Sequence, residues 1–237
     1  MVIFNKIKRG YIVFIASLIF SCFYNVVNCY ANWKQVGNLL YYEQDGKYLT
    51  GFQFLEGNLY LFSETGTFLS VFTDLPQNPK DKVLYLANKL YESKACIYTN
   101  DLKKRNIANT FDCSSFVGRI FKLCGIDFYD YYHTTTNQVN GLRKNIILCN
   151  LFGNSNKNDN IFTADDIYNI KVRIVRNTIL PGDIVYYYNE NNIVDHCGII
   201  DKDEQGNWLV ISCKKETGTV TKEYIKYKNI AYVIRVF

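Results

Sequence analysis

The chain has 237 residues, 48% of them hydrophobic and 21% charged, with a net charge of +5. That length suits one medium domain plus a small module, and the apolar share excludes wholesale disorder. No basic run argues for nucleic acid, and two histidines with no Cys-x-x-Cys or His-x-x-x-His pair argue against a metal site.

The first residues carry Lys6, Lys8 and Arg9, followed by an apolar run from Tyr11 to Phe20. The run is shorter than the roughly 20 residues a straight bilayer-spanning helix needs. A basic start, a short apolar middle and a small residue at Ala31 predict a secretory signal over residues 1–31, cleaved after Ala31. An uncleaved anchor reaching Val27 is the other open reading. Cleavage takes away three basic residues and no acidic ones, so the net charge falls from +5 to +2. The mature chain would then be secreted or wall-associated, with no membrane segment. Cys22 and Cys29 lie in the signal, while Cys96, Cys113, Cys124, Cys149, Cys197 and Cys213 remain. Six cysteines allow about fifteen full pairings, among which sequence does not choose.

Residues 32–71 hold an internal repeat. Trp33 through Gly46 aligns with Phe52 through Gly66, with one extra residue at Glu56. Each copy predicts an aromatic-rich strand, a turn at Asp45-Gly46 or Thr65-Gly66, and a short second strand. The copies resemble choline-binding-type cell-wall-binding repeats, which implies a cell-wall polymer as partner at residues 33–70. Leu39 and Leu59 stand where that type has tryptophan, and a cation needs an aromatic face. A structural or dimerising hairpin pair is therefore equally open. Pro76 and Pro79 mark a linker over residues 72–79.

The spacing of Val83, Leu86, Ala87 and Leu90 predicts a helix capped by Asn78 ahead of Pro79. Strand patterns follow at Ile184–Tyr188, Cys197–Ile200, Trp208–Cys213 and Tyr232–Phe237, with an Asn-rich loop at Gly153–Asn160. Helices first and strands later predict an α+β domain over residues 80–237.

The chemistry centres on Phe111-Asp112-Cys113-Ser114-Ser115-Phe116-Val117. Asp112 is a good helix cap, and Phe116, Val117, Ile120 and Phe121 keep one apolar face behind it. Cys113 then opens a helix, where unsatisfied N–H groups and the dipole favour a thiolate and can hold an oxyanion. Buried cysteines are more often small hydrophobes, the fate expected of Cys124.

Further on stand Leu180-Pro181-Gly182-Asp183-Ile184 and Asp195-His196-Cys197-Gly198-Ile199. These three segments, in this order, resemble the NlpC-type family of papain-like cell-wall peptidases. That family has an Asp-Cys-Ser helix start, a Pro-Gly-Asp turn and a His-x-Gly-Ile strand; Ser115 stands where it usually has glycine. The resemblance implies a papain-like fold of helices packed on an antiparallel sheet. It implies Cys113 as nucleophile, His196 as base, no cofactor, and a peptidoglycan stem peptide as substrate. The bond it implies joins D-glutamate to the diamino acid.

A hairpin centred near Glu204 would pair His196 with Ser212, the residue expected to orient the imidazole. Cys197 and Cys213 would then face away from the cleft as diagonal neighbours roughly 7–8 Å apart, favouring buried thiols over a bridge. Tyr98 matches a family tyrosine that lines the cleft, and Asp112 and Ser114 are candidate substrate contacts. His133 is the competing base. A non-catalytic wall binder built on a worn peptidase body, and an acyl transferase using an amine or alcohol, are the rival readings.

Overall fold

The computed structural model describes residues 31–126, 134–135, 137–138, 162–164, 170–174 and 179–237. The expected signal segment through Tyr30, His133, Cys149 and the expected Asn-rich loop lie outside the described residues. Two compact units divide between Tyr48 and Leu49, inside the stretch the sequence pattern marks as a repeat.

The first unit holds a three-stranded antiparallel meander of β1 (Asn32–Val36), β2 (Leu39–Gln44) and β3 (Lys47–Tyr48). Its turns form where Gly37 and Gly46 supply positive φ. Each copy therefore bends twice, not only at the Asp-Gly type of turn.

The second unit begins with the matching meander: β4 (Gly51–Leu55), β5 (Asn58–Phe62) and β6 (Phe68–Phe72). Leu59, Leu61 and Phe72 of this meander are fully buried in one core with the helices that follow. The second copy thus packs as part of the larger unit, because its apolar strand faces find helices to cover them.

Helix α1 (Pro79–Ser93) starts as its sequence dictates, with Asn78 Oδ1 accepting from Lys80 N at 2.9 Å and Pro79 at the first helical position. Its buried residues are Val83, Leu86, Ala87 and Leu90. A short parallel pair, β7 (Ile97–Tyr98) and β8 (Thr110–Phe111), leads into α2 (Cys113–Leu123).

The remaining strands are β9 (Phe162–Ala164), β10 (Ile170–Ile174), β11 (Ile184–Tyr188), β12 (Val194–Lys202), β13 (Trp208–Lys214), β14 (Thr219–Tyr224) and β15 (Ile230–Arg235). They form one seven-stranded sheet in the order β14-β13-β12-β11-β15-β10-β9. Strand alternation divides the apolar residues cleanly. Ile184, Tyr186, Ile199, Ile211 and Ile234 join the helices in the main core. Their neighbours Val185, Ile200, Val210 and Val233 form a second cluster with Ile225.

Two glycines have specific reasons. Gly182 sits at φ +92° in the Pro-Gly-Asp turn, where Asp183 Oδ2 accepts from Leu180 N at 2.7 Å. The same buried carboxylate receives both Nε and Nη2 of Arg235 at 2.8 Å, tying the turn to β15. Gly198 lies where β12 crosses β13 closely. A Cβ there would meet Val210 Cγ1 at 2.5 Å and the Ile211 carbonyl at 2.9 Å.

Candidate active site

Helix α2 begins with a reciprocal cap. Asp112 Oδ1 accepts from Ser115 N at 2.7 Å, and Asp112 N donates back to Ser115 Oγ at 2.8 Å. The serine at position 115 thus completes a capping box. Cys113 is therefore the first helical residue, where its N–H belongs to the turn lacking intrahelical partners.

Asp112 and Ser114 do not line the cleft. Asp112 is 4% exposed and pairs with Arg105 Nη2 at 2.7 Å, while Ser114 Oγ donates to Asp112 Oδ1 at 2.9 Å. The expected substrate contacts at these two positions are corrected to a buried scaffold. They turn inward because the cap geometry claims the carboxylate and its first neighbours.

Cys113 opens onto a cleft of about 650 Å³ that Tyr98, Asp195, His196 and Lys215 also line. Its thiol is 3.7 Å from the Asp195 carbonyl and 3.5 Å from Thr135 Oγ1. Three neighbours hold it well below the usual thiol range against the opposing effect of burial. The largest is a hydrogen bond from Cys197; the His196 imidazole adds a hydrogen bond and its charge, and Thr135 a further bond. Cys197 moves the other way, raised by burial and by its bond to Cys113. Of the two thiols, Cys113 is thus the one that ionises more readily.

His196 stands on β12, half-buried, with Tyr187 stacked on its ring at a centroid distance of 6.1 Å. Its Nε2 lies 3.2 Å from Ser212 Oγ on β13. The register differs from the one expected by two residues. Ile199 faces Ile211 and Lys202 faces Trp208, centring the hairpin on Gln205. A shift of two leaves every side chain on its own face, so His196 and Ser212 still meet, as diagonal neighbours. Cys197 and Cys213 are buried free thiols on the other face of these strands. The expectation that both turn away from the cleft is corrected, because the start of α2 covers that face: Cys213 lines the cleft and Cys197 acts directly on Cys113.

Tyr98 lines the cleft from β7, and its hydroxyl donates to Asn100 Oδ1 at 2.7 Å. Burial first, and then negative charge at Cys113, raise its hydroxyl to about 12, so it stays protonated and able to donate.

Sequence reasoning missed two polar residues. Thr135 contacts the thiol directly, and buried Gln138 donates to the Ser114 carbonyl at 3.0 Å while accepting from Tyr186 Oη at 3.3 Å. The one signal in the sequence for Thr135 is its place in the Thr134-Thr135-Thr136 run beside His133. Among the described residues, no three His, Cys, Asp or Glu side chains converge to hold a metal ion.

The NlpC/P60 family model matches residues 98–231, from Tyr98 in the cleft through Cys113, His196 and Ser212. The chain belongs to the NlpC/P60 family. This family comprises cysteine peptidases and amidases of cell-wall hydrolysis. The NlpC/P60 match does not reach residues 32–71, so the repeat copies lie beyond it.

Similar solved structures include NlpC1 from Trichomonas vaginalis, 16% identical over 82% of this chain and 57% of that one, TM-score 0.42. The present chain thus spans little more than half of that structure. The P60 domain of an antigen from M. avium subspecies paratuberculosis is 14% identical over 66% of this chain and 96% of that one, TM-score 0.39. An N-acetylmuramoyl-L-alanine amidase from Bacteroides uniformis is 12% identical over 67% and 98%, TM-score 0.41. No curated protein matches the chain significantly.

Proposed function

We propose that the chain is an exported cysteine peptidase that hydrolyses an amide bond in peptidoglycan stem peptides, the D-glutamyl to diamino-acid bond. The observation that carries this reading is a cysteine at the first position of a capped helix, sharing a cleft with a histidine whose Nε2 is held 3.2 Å from a serine hydroxyl. With Nε2 engaged, Nδ1 is the nitrogen left for the thiol.

His196 takes the Cys113 proton, and its Nε2–H donates to Ser212 Oγ. The thiolate attacks the peptide carbonyl, and N–H groups at the helix start receive the developing oxyanion. Collapse breaks the C–N bond, His196 protonates the departing amine, and a thioester remains. Water deprotonated by His196 then attacks the thioester, releasing the acid and restoring the thiol. Tyr98, on the cleft wall, is offered as a stem-peptide contact whose hydroxyl oxygen can accept while it donates to Asn100.

The export reading rests on Lys6, Lys8, Arg9 and the apolar run behind them, and residues 33–70 are offered as the wall-polymer contact. The test is digestion of purified peptidoglycan by the chain beside Cys113→Ala, with mass spectrometry of released fragments. Fragments ending at D-glutamate that vanish in the variant support the reading. Wall binding without release of any fragment, in both proteins, replaces it with the non-catalytic binder.

A further inference from the structure

Cys197 is a second thiol at the site that the hydrolysis leaves unused. It follows His196 on β12, so alternation turns it to the helix-bearing face, where it is fully buried in the same core as Cys113. Thr135 Oγ1 lies 3.5 Å from Cys113 Sγ, and each thiol acts directly on the other's titration, Cys113 moving down and Cys197 up. The Asp195 carbonyl, 3.7 Å from Cys113 Sγ, ties the same stretch of β12 to the helix start. Cys213 is also near, but its thiol donates to the Phe111 carbonyl at 3.7 Å.

Access to solvent divides the pair. Cys113 is 7% exposed at the floor of an open cleft and Cys197 is sealed at 0%. An oxidant in solvent therefore reaches Cys113 alone, and the thiolate is the form that reacts. We propose that a peroxide converts Cys113 and Cys197 into a reversible disulfide, with Cys113 oxidised first and Cys197 resolving it.

The steps balance. Cys113 thiolate attacks one peroxide oxygen; an S–O bond forms, the O–O bond breaks, and the leaving oxygen departs as water after taking a proton. Cys113 is then a sulfenic acid. The Cys197 sulfur attacks Cys113 Sγ, the S–S bond forms, the S–O bond breaks, and the oxygen leaves as a second water carrying the Cys197 proton. Two thiols are oxidised and one peroxide is reduced. The bridge hides the nucleophile, and it spares Cys113 from the sulfinic and sulfonic acids that thiols do not reverse.

The test treats the full chain with hydrogen peroxide at neutral pH and reads intact mass and a non-reducing peptide map. The expected result is loss of two hydrogens, a peptide joining Cys113 to Cys197, and return to the starting mass with dithiothreitol. In Cys197→Ala, the same treatment adds oxygens to Cys113 that dithiothreitol does not remove. Circular dichroism checks that this variant is folded; if it is not, the wild-type map alone decides. The proposal is overturned if wild-type Cys113 gains oxygens while Cys197 stays free to alkylate after unfolding, or if Cys113 bridges to Cys213. Because mass is the readout, failure of the peptidase assay and failure of this proposal are separate results.

Discussion

Replacing Asp112 tests whether the buried carboxylate that starts α2 also determines how firmly Cys113 is held. One carboxylate serves Ser115 N at 2.7 Å, Ser114 Oγ at 2.9 Å and Arg105 Nη2 at 2.7 Å. The Asp112 side chain is 6% exposed and that of Arg105 14%. Loss of the cap costs about 1 kcal/mol, and removing one partner of a buried ion pair costs about 3–5 kcal/mol. Both losses come from one group, so they overlap, and Asp112→Ala is expected to lose about 3–5 kcal/mol of the roughly 5–15 kcal/mol a domain has. Asp112→Asn keeps an oxygen for Ser115 N and should lose about 1 kcal/mol less.

The direction in which Asp112 titrates sharpens the prediction. Burial, and then negative charge at Cys113, raise its carboxyl despite the Ser115 donors and Arg105, so the pair does not fully offset desolvation and the charge beside it. Removing both charges, as Arg105→Met with Asp112→Asn, should therefore restore stability to within about 1 kcal/mol of wild type. Urea unfolding followed by far-ultraviolet circular dichroism measures all four proteins, compared at equal slope. A loss under about 1 kcal/mol for Asp112→Ala, or a double variant no better than Asp112→Asn, would refute the reasoning.

Iodoacetamide labelling of Cys113 against pH should reach half its maximal rate below about 8.5, the free-thiol value. Cys197→Ala removes the largest of the groups that stabilise the thiolate, so the midpoint should move up, not down. Ser212→Ala should reduce kcat for wall digestion by about 10–100-fold with KM little changed, and Ser212→Asn should retain more, since an amide oxygen still orients Nε2–H. Gly198→Ala should cost about 1–3 kcal/mol in the same urea assay, because the added methyl meets Val210 and the Ile211 carbonyl.

Much of the framework is readable from local pattern. Asn78-Pro79 and the spacing Val83, Leu86, Ala87, Leu90 place α1 with its buried face, since caps and period act within a few residues. Asp112 and the apolar face behind Cys113 place α2 in the same way. The run Ile184–Tyr188 appears as β11 at those bounds. His196 and Ser212 meet even though the register differs by two, because parity alone assigns a strand residue to a face. β14 is not legible in the sequence, because Thr219–Tyr224 is largely polar and its pairing with β13 is what makes it a strand.

By itself, then, the sequence determined the helix starts, the strand faces and the order of the Cys113, Pro-Gly-Asp and His196 segments, all features set by near neighbours along the chain. Only the tertiary structure decided that Cys197 touches Cys113, that Thr135 and Gln138 close the site, and that Asp112 and Ser114 turn inward. It also decided that β5 of the second repeat copy shares a core with α1 and α2. Each of these depends on which faces of the elements cover one another, and residues 113, 135 and 197 come together from segments far apart in the chain.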